Sequence, residues 1–200
     1  MSPRRSAAVA RQTRESIVDQ AVTLGSLEGL ESLSFGRVAE DLPLSKSGVI
    51  RHFASKEALQ LAALDAGRGI FRAAVWDPVA AEPAGLARLR AVMASWLGYL
   101  QSCPLPGGCL VTATATEFDS RPGAVRDAVL ADSALWSGVL ERELEVAVRA
   151  GELPPGGDPA QLAFELRGIA LAVNQAAQLH HDADAAHRGN AAVERLLAST

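Results

Sequence analysis

Apolar positions along the chain recur at three- and four-residue intervals, the spacing that lays them on one face of an α-helix. Ile17, Val18, Ala21, Val22 and Leu24 form the first such stripe, and Gly29 stands where a glycine commonly closes a helix. Ser34 is placed to cap a short second helix carrying Phe35, Val38, Ala39 and Leu42. Pro43 ends that helix, because the residue before a proline is pushed out of the helical region. Ser45 caps a third helix from Lys46 to about Phe53, and Ser55 a fourth that runs through Leu59, Leu64 and Phe71.

Beyond Trp76 the punctuation is regular. Breaks at Asp77–Pro83, Pro104–Gly108, Asp119–Gly123 and Gly151–Gly157 separate the remaining segments. These are a helix over Leu86–Gln101, a short apolar segment from Cys109 and a long helix to about Ala150. Asp158-Pro159 is a helix start signal, and it opens helices over 159–180 and 184–198. Signals for strands are weak: there is one tyrosine, no alternating Val/Ile/Thr hairpin and no Asn-Gly turn. The pattern predicts an all-α fold of about nine helices, the first three much shorter than the later ones.

Composition narrows the class. The 200 residues are 48% hydrophobic and 21% charged. A globular chain of this size buries roughly 70% of its unfolded surface and needs no disulfide framework. The basic N-terminus is not followed by the apolar stretch of a signal peptide. The longest apolar run, near Gly168–Val173, is far short of the ~20 residues that span a membrane. A cytoplasmic protein with no membrane partner is expected.

A net charge of −4 argues against a nucleic-acid partner until its distribution is considered. Residues 1–60 hold eight Lys/Arg against seven Asp/Glu, while residues 61–200 hold eleven against sixteen. Arg4, Arg5, Arg11 and Arg14 have no acidic neighbour within the first fourteen residues, and both lysines, Lys46 and Lys56, lie in the first sixty. Local clustering of positive charge is what phosphate binding requires, whatever the total.

Two short helices joined by a tight turn, the second opened by a capped polar tripeptide, make a helix-turn-helix pattern. Val38, Leu42, Val49, Ile50 and Phe53 can pack the pair against the first helix, and Ala39 is small where the two approach closely. Ser45, Lys46, Ser47 and Arg51 are then left on the outer surface, as donors for phosphates and base edges.

Residues 13–64 resemble the DNA-binding region of the TetR family of repressors. The resemblance is carried by Ala21-Val22-Thr23-Leu24 ending at Gly29, by Ser34-Phe35-Gly36-Arg37-Val38-Ala39, by Ser45-Lys46-Ser47-Gly48-Val49-Ile50-Arg51-His52-Phe53, and by Ser55-Lys56-Glu57-Ala58-Leu59. It implies a basic arm over residues 1–12, flexible in solution, a helix-turn-helix domain over 13–60, and a helical ligand-binding and dimerisation domain over 61–200.

Carried over residue by residue, the resemblance gives Lys46 and Ser47 base or groove contacts. Arg37, Ser45, His52 and Lys56 would hold phosphates, and Arg4, Arg5 and Arg11 would reach along the groove. Ser34, Gly48, Ile50 and Arg51 complete the DNA-facing set. Three positions depart from the family pattern. Pro43 replaces a turn glycine and cannot take positive φ, so the turn must be built differently. Gly48 replaces a threonine, and Ile50 a tyrosine, leaving a side chain that packs or touches a thymine methyl.

In the C-terminal part, Pro106-Gly107-Gly108-Cys109, Glu117-Phe118-Asp119 and Arg121-Pro122-Gly123 are similar to one regulatory-domain subgroup of the family. Trp96, Tyr99, Cys109, Phe118, Trp136, Phe164 and Asn174 stand at inward-facing spacings, and the resemblance implies that such residues surround an effector pocket. Asn174 stands out, because a buried amide needs a partner that a ligand can supply. The resemblance further implies a homodimer through 159–180 and 184–198. Its two reading helices would lie about 34–36 Å apart on a near-palindromic operator. The effector itself is not named by the sequence.

His180, His181 and His187 lack a firm metal-ligand spacing, and Cys103 and Cys109 read as reduced spectators. No catalytic constellation or cofactor motif stands at a credible spacing. The expectation is a ligand-responsive repressor. The alternatives are an activator, a repressor without a metabolite ligand, or an all-α enzyme with a vestigial DNA-binding head.

Overall fold

The computed structural model describes residues 3–154 and 157–198, with side chains from Ala7 onward. Among the described residues there are nine α-helices, one 3-10 turn and no strand. The helices are α1 (Pro3–Glu28), α2 (Phe35–Glu40), α3 (Lys46–Ile50), α4 (Lys56–Val75), α5 (Leu86–Gln101), α6 (Leu110–Glu117), α7 (Ala124–Arg149), α8 (Pro159–His180) and α9 (Ala185–Ala198). The 3-10 turn covers Asp77–Val79. Contrary to expectation, α1 is 26 residues long, not short. It starts at Pro3, a residue whose fixed φ suits the first helical position, so the segment expected as a flexible arm is helical from there.

The chain divides into two compact units. The first holds the residues up to Gly69 together with Leu105–Val129, and the second holds Ile70–Pro104 together with the residues from Leu130 onward. The first unit thus takes in more than the expected 13–60 segment, adding α6 and the first residues of α7. Two glycines show why. Gly29 has φ +84°, closing α1 with its N–H on the Gly25 carbonyl at 3.1 Å. Gly107 passes so close to α1 that a Cβ there would stand 1.8 Å from the Ser26 carbonyl oxygen. The loop before α6 can approach α1 only because residue 107 has no side chain. Ile17, Leu24, Leu30, Val38, Val49, Leu59 and Leu110 form the buried core of this unit.

In the second unit α5, α8 and α9 pack against one another. Gly189 lets α9 approach closely, since a Cβ there would meet Val173 at 2.5 Å and Leu97 at 3.0 Å. α8 begins as its sequence dictates, with the Asp158 carboxylate accepting from the Ala160 N–H at 2.9 Å and Pro159 in the first turn. Glu143 is buried on α7, where it accepts from the Gly85 N–H at 2.8 Å and pairs with Arg88 at 3.3 Å.

No described helix is long and apolar enough to cross a membrane. No cluster of three metal-ligating side chains occurs among the described residues. Cys103 and Cys109 are thiols rather than a disulfide.

Candidate nucleic-acid interface and regulatory core

In the first unit the α2–turn–α3 segment is capped twice. Ser34 accepts from the Arg37 N–H at 3.1 Å, and Ser45 accepts from the Gly48 N–H at 3.1 Å. The turn between them centres on Pro43, with the Leu44 N–H donating to the Leu42 carbonyl at 2.7 Å. That two-residue closure is an inverse γ-turn pattern, whose central φ near −75° is close to the angle a proline ring imposes. The turn needs no left-handed residue, which is how a proline serves here.

Val49 is wholly buried, so the faces of α3 are fixed. Lys46, Ser47 and Arg51 are left exposed, and so is Ile50 at 46%. Among the described residues neither Lys46 nor Arg51 carries an ion pair. His52 is half-buried next to them, and Arg14 lies over the Phe53 ring at 4.9 Å. Arg11 is exposed beside Glu15 at 3.8 Å. Arg4 and Arg5 lie outside the residues whose side chains are described.

Three residues assigned to phosphate by the resemblance have other partners. Arg37 pairs with Glu28 at 2.7 Å, Asp41 at 2.9 Å and Glu40 at 3.5 Å. The hydrogen bonds to Glu28 and then Asp41 raise its pKa further above the ordinary arginine range. It is a clamp between the end of α1 and α2. Lys56 donates to the Glu31 carbonyl and pairs with the Glu31 carboxylate at 3.1 Å. Ser45, besides capping α3, shares a hydrogen bond with the Ser47 hydroxyl at 2.9 Å.

Composition and spacing gave no hint of the anchor behind these residues. The Glu117 carboxylate, at the end of α6, accepts from the Leu30 N–H at 2.7 Å and the Glu31 N–H at 3.1 Å. Gln60 donates to the Leu30 carbonyl at 2.8 Å and to the Glu31 carboxylate at 3.2 Å. Lys56, and then Gln60, hold the Glu31 carboxyl below the ordinary carboxylate range. The loop leading into α2 is thus held from α4 and α6 at once. Glu117 was visible only as one letter of the family resemblance, because an isolated acid at a helix end carries no signal of what it will face.

The second unit gathers an aromatic cluster. The Phe71 ring meets Trp136 at 5.0 Å, Tyr99 at 5.6 Å and Trp96 at 6.2 Å, and Trp96 meets Trp136 at 5.4 Å, all edge-to-face. The Nε1 atoms of Trp96 and Trp136 and the Oδ1 of Asn174 are buried without a hydrogen-bond partner. Three of the expected pocket residues therefore come together, with Phe71 added. Asn174, on α8, carries a buried oxygen without a partner.

The other three do not belong to this cluster. Cys109 and Phe118 fall in the first unit, where the Cys109 Sγ accepts from the Thr112 N–H at 3.5 Å and Phe118 lies under Arg121. Phe164 is 68% exposed, because the buried face of α8 follows Leu162, Leu166, Ala170, Val173 and Ala177 and leaves position 164 outside. A polar cleft of about 250 Å³ in the first unit is lined by Glu31, Glu57, Gln60, Phe118 and Arg121. It gathers no orphaned polar atoms.

A capped two-helix segment with exposed donors in one unit, and an aromatic core with unsatisfied polar atoms in the other, fit a helical DNA-binding regulator. Comparison with known proteins gives the family. Residues 17–63 match the family profile described as bacterial regulatory proteins, tetR family. Residues 85–193 match the tetracyclin repressor-like C-terminal domain. The chain belongs to the TetR family, whose members are transcription regulators and not enzymes.

Solved structures agree with this. A TetR transcriptional regulator from Chloroflexus aurantiacus J-10-FL is 25% identical, with a TM-score of 0.86 over 94% of this chain and 95% of that one. A TetR-family regulator from Streptomyces coelicolor is 27% identical, with a TM-score of 0.75 over 93% and 94%. AibR, solved in complex with isovaleryl coenzyme A and operator DNA, is 22% identical, with a TM-score of 0.76 over 92% and 97%. No curated protein matches the sequence.

Proposed function

We propose that this DNA-binding regulator is a cytoplasmic repressor that binds a near-palindromic operator as a homodimer and leaves it when a small molecule enters the second unit. The observation that carries the reading is the division of labour in the first unit. Arg37, Lys56 and Ser45 are spent on holding the head together, whereas Lys46, Ser47, Ile50 and Arg51 stand exposed on and just after α3. Lys46 and Ser47 are the groove contacts, and Arg51 and His52 reach the backbone. Arg4, Arg5 and Arg11 extend the positive surface.

Homodimerisation is supported by α8. Phe164, Leu171 and Leu179 are 68%, 55% and 65% exposed at seven- and eight-residue intervals, one apolar stripe along the helix. Effector binding is supported by the orphaned polar atoms among Trp96, Trp136 and Asn174. α4 is one continuous helix whose residues up to Gly69 belong to the first unit and whose residues from Ile70 belong to the second. It offers the route by which a ligand that favours one of two conformations lowers DNA affinity.

The test is binding of the purified protein to DNA flanking its own reading frame, with salt varied. Salt-sensitive binding to one near-palindrome is expected, and Lys46→Ala should reduce the salt slope by about one. Equal binding to scrambled DNA would overturn the reading. Transcription from that site should rise when the gene is deleted; a fall would make the protein an activator.

A further inference from the structure

In the second unit α7 and α8 meet through Arg167, whose Nη1 donates to the Ser137 hydroxyl at 2.8 Å and Nη2 to the Ser133 hydroxyl at 3.1 Å. Arg167 is half-buried, yet among the described residues no carboxylate pairs with it. Arg88, the other half-buried arginine of this unit, has Glu143 at 3.3 Å. A half-buried guanidinium met only by neutral hydroxyls has no counter-charge beside it, and an anion is the partner that supplies one.

Its neighbours point the same way. Trp136 stands between Ser133 and Ser137 on the same turn of α7, and its ring touches Trp96 at 5.4 Å. Both indole N–H groups are buried donors without an acceptor. Asn174 lies seven residues beyond Arg167, two turns along the same side of α8. Its buried Oδ1 has no partner, and the amide can present NH₂ in its place by rotation about its last torsion. The partnerless buried groups of this unit are thus two indole donors and one amide oxygen, and both indoles belong to the aromatic group of Phe71, Trp96, Tyr99 and Trp136.

Given that the effector enters this second unit, an assignment that rests on the proposed function, we propose that it is an organic anion. Its carboxylate pairs with Arg167, and its flat apolar or aromatic body packs among those rings. Carboxylate and guanidinium match as two parallel N–H···O bonds, and the indole N–H groups suit remaining lone pairs or a second oxygen. Because the rings touch one another, the ligand enters by parting them. Phe71 and Trp136, both half-buried, form the outer wall. Binding thus reports through tryptophan fluorescence.

The experiment uses the full chain without DNA. Benzoate, phenylacetate and 1-naphthoate are each titrated beside their own carboxamides, by calorimetry and tryptophan fluorescence, into the wild type and Arg167→Met. At least one acid should bind and change the fluorescence, with its amide weaker by about tenfold or more. Arg167→Met should abolish that preference while melting at the same temperature as wild type or higher, since it removes a half-buried charge that has no counter-charge beside it. The sedimentation coefficient should not change.

Absence of binding by every acid overturns the proposal, as does equal binding of the amides. A variant that melts lower or changes sedimentation while still preferring acids also overturns it, since Arg167 is then a packing or interface residue. Acid binding that fails to release operator DNA leaves this assignment standing and overturns the release mechanism. Release by neutral compounds alone does the reverse.

Discussion

The contact between Gly29 and Glu117 gives a double-mutant cycle whose outcome is set by the geometry. Glu117 accepts two backbone N–H groups, from Leu30 at 2.7 Å and Glu31 at 3.1 Å, in a part-buried setting. Hydrogen bonds to a charged group contribute ~1.5–3 kcal/mol each, with the lower end apt where water has partial access. Glu117→Ala should then destabilise by about 2–3 kcal/mol. For a chain of this size that is a fall in Tm of about 4–12 °C, at ~2–4 °C per kcal/mol.

Gly29→Ala acts on the same contact from the other side. Its φ of +84° costs a side chain roughly 1–2 kcal/mol. A Cβ there would stand 2.7 Å from the Glu117 Oε1, so the carboxylate must also withdraw. About 3 kcal/mol is expected. In the double variant the carboxylate is already gone, leaving about 3–5 kcal/mol rather than the roughly 5–6 kcal/mol sum of the singles, a coupling of about 1–2 kcal/mol. Denaturation followed by circular dichroism at one protein concentration measures all four corners, concentration being fixed because an associating protein's Tm depends on it. Additive effects, or a Glu117→Ala variant that melts within a degree of wild type, would refute the anchoring role.

Three further outcomes are expected. Arg37→Ala should lower Tm, because it leaves Glu28, Glu40 and Asp41 facing one another, and should leave the salt slope of DNA binding unchanged. A slope reduced by about one would restore Arg37 to the phosphate contacts. Glu31 has a folded pKa below its unfolded value, so its contribution to stability is complete above the unfolded value of ~4.3 and is lost as pH falls through the lower folded value. Glu31→Gln should flatten the stability–pH curve in that acid window, and an unchanged curve would rule out the Lys56 and Gln60 bonds as its cause. For the proposed homodimer, Leu171→Glu places a charge in the apolar stripe of α8 and should shift sedimentation to the monomer; an unchanged coefficient would refute α8 as the interface.

The sequence by itself determined the elements that local chemistry controls. Ser34, Ser45 and Asp158 are caps in the structure as in the sequence, Gly29 closes α1, and Leu86–Gln101 is helical as its periodicity predicts. These are short-range choices between a residue and its own next turn, and one chain is enough to read them. The spacing of Val38, Val49 and the polar positions of α3 likewise marked out the reading head.

Tertiary structure alone decided which cations are free and which aromatics meet. Arg37 and Lys46 look alike as letters, but Glu28 and Asp41 fold back onto the first, while among the described residues no acid folds back onto the second. Phe71, Trp96 and Trp136 meet from three different helices, and Phe164 points away because its turn of α8 lies off the buried line. Cys109 and Phe118 went to the first unit because Gly107 lets the loop before α6 close on α1. Pairing of charges and closure of a core are contacts between residues far apart in the chain, and helical periodicity, which relates a residue only to its own helix, carries no information about them.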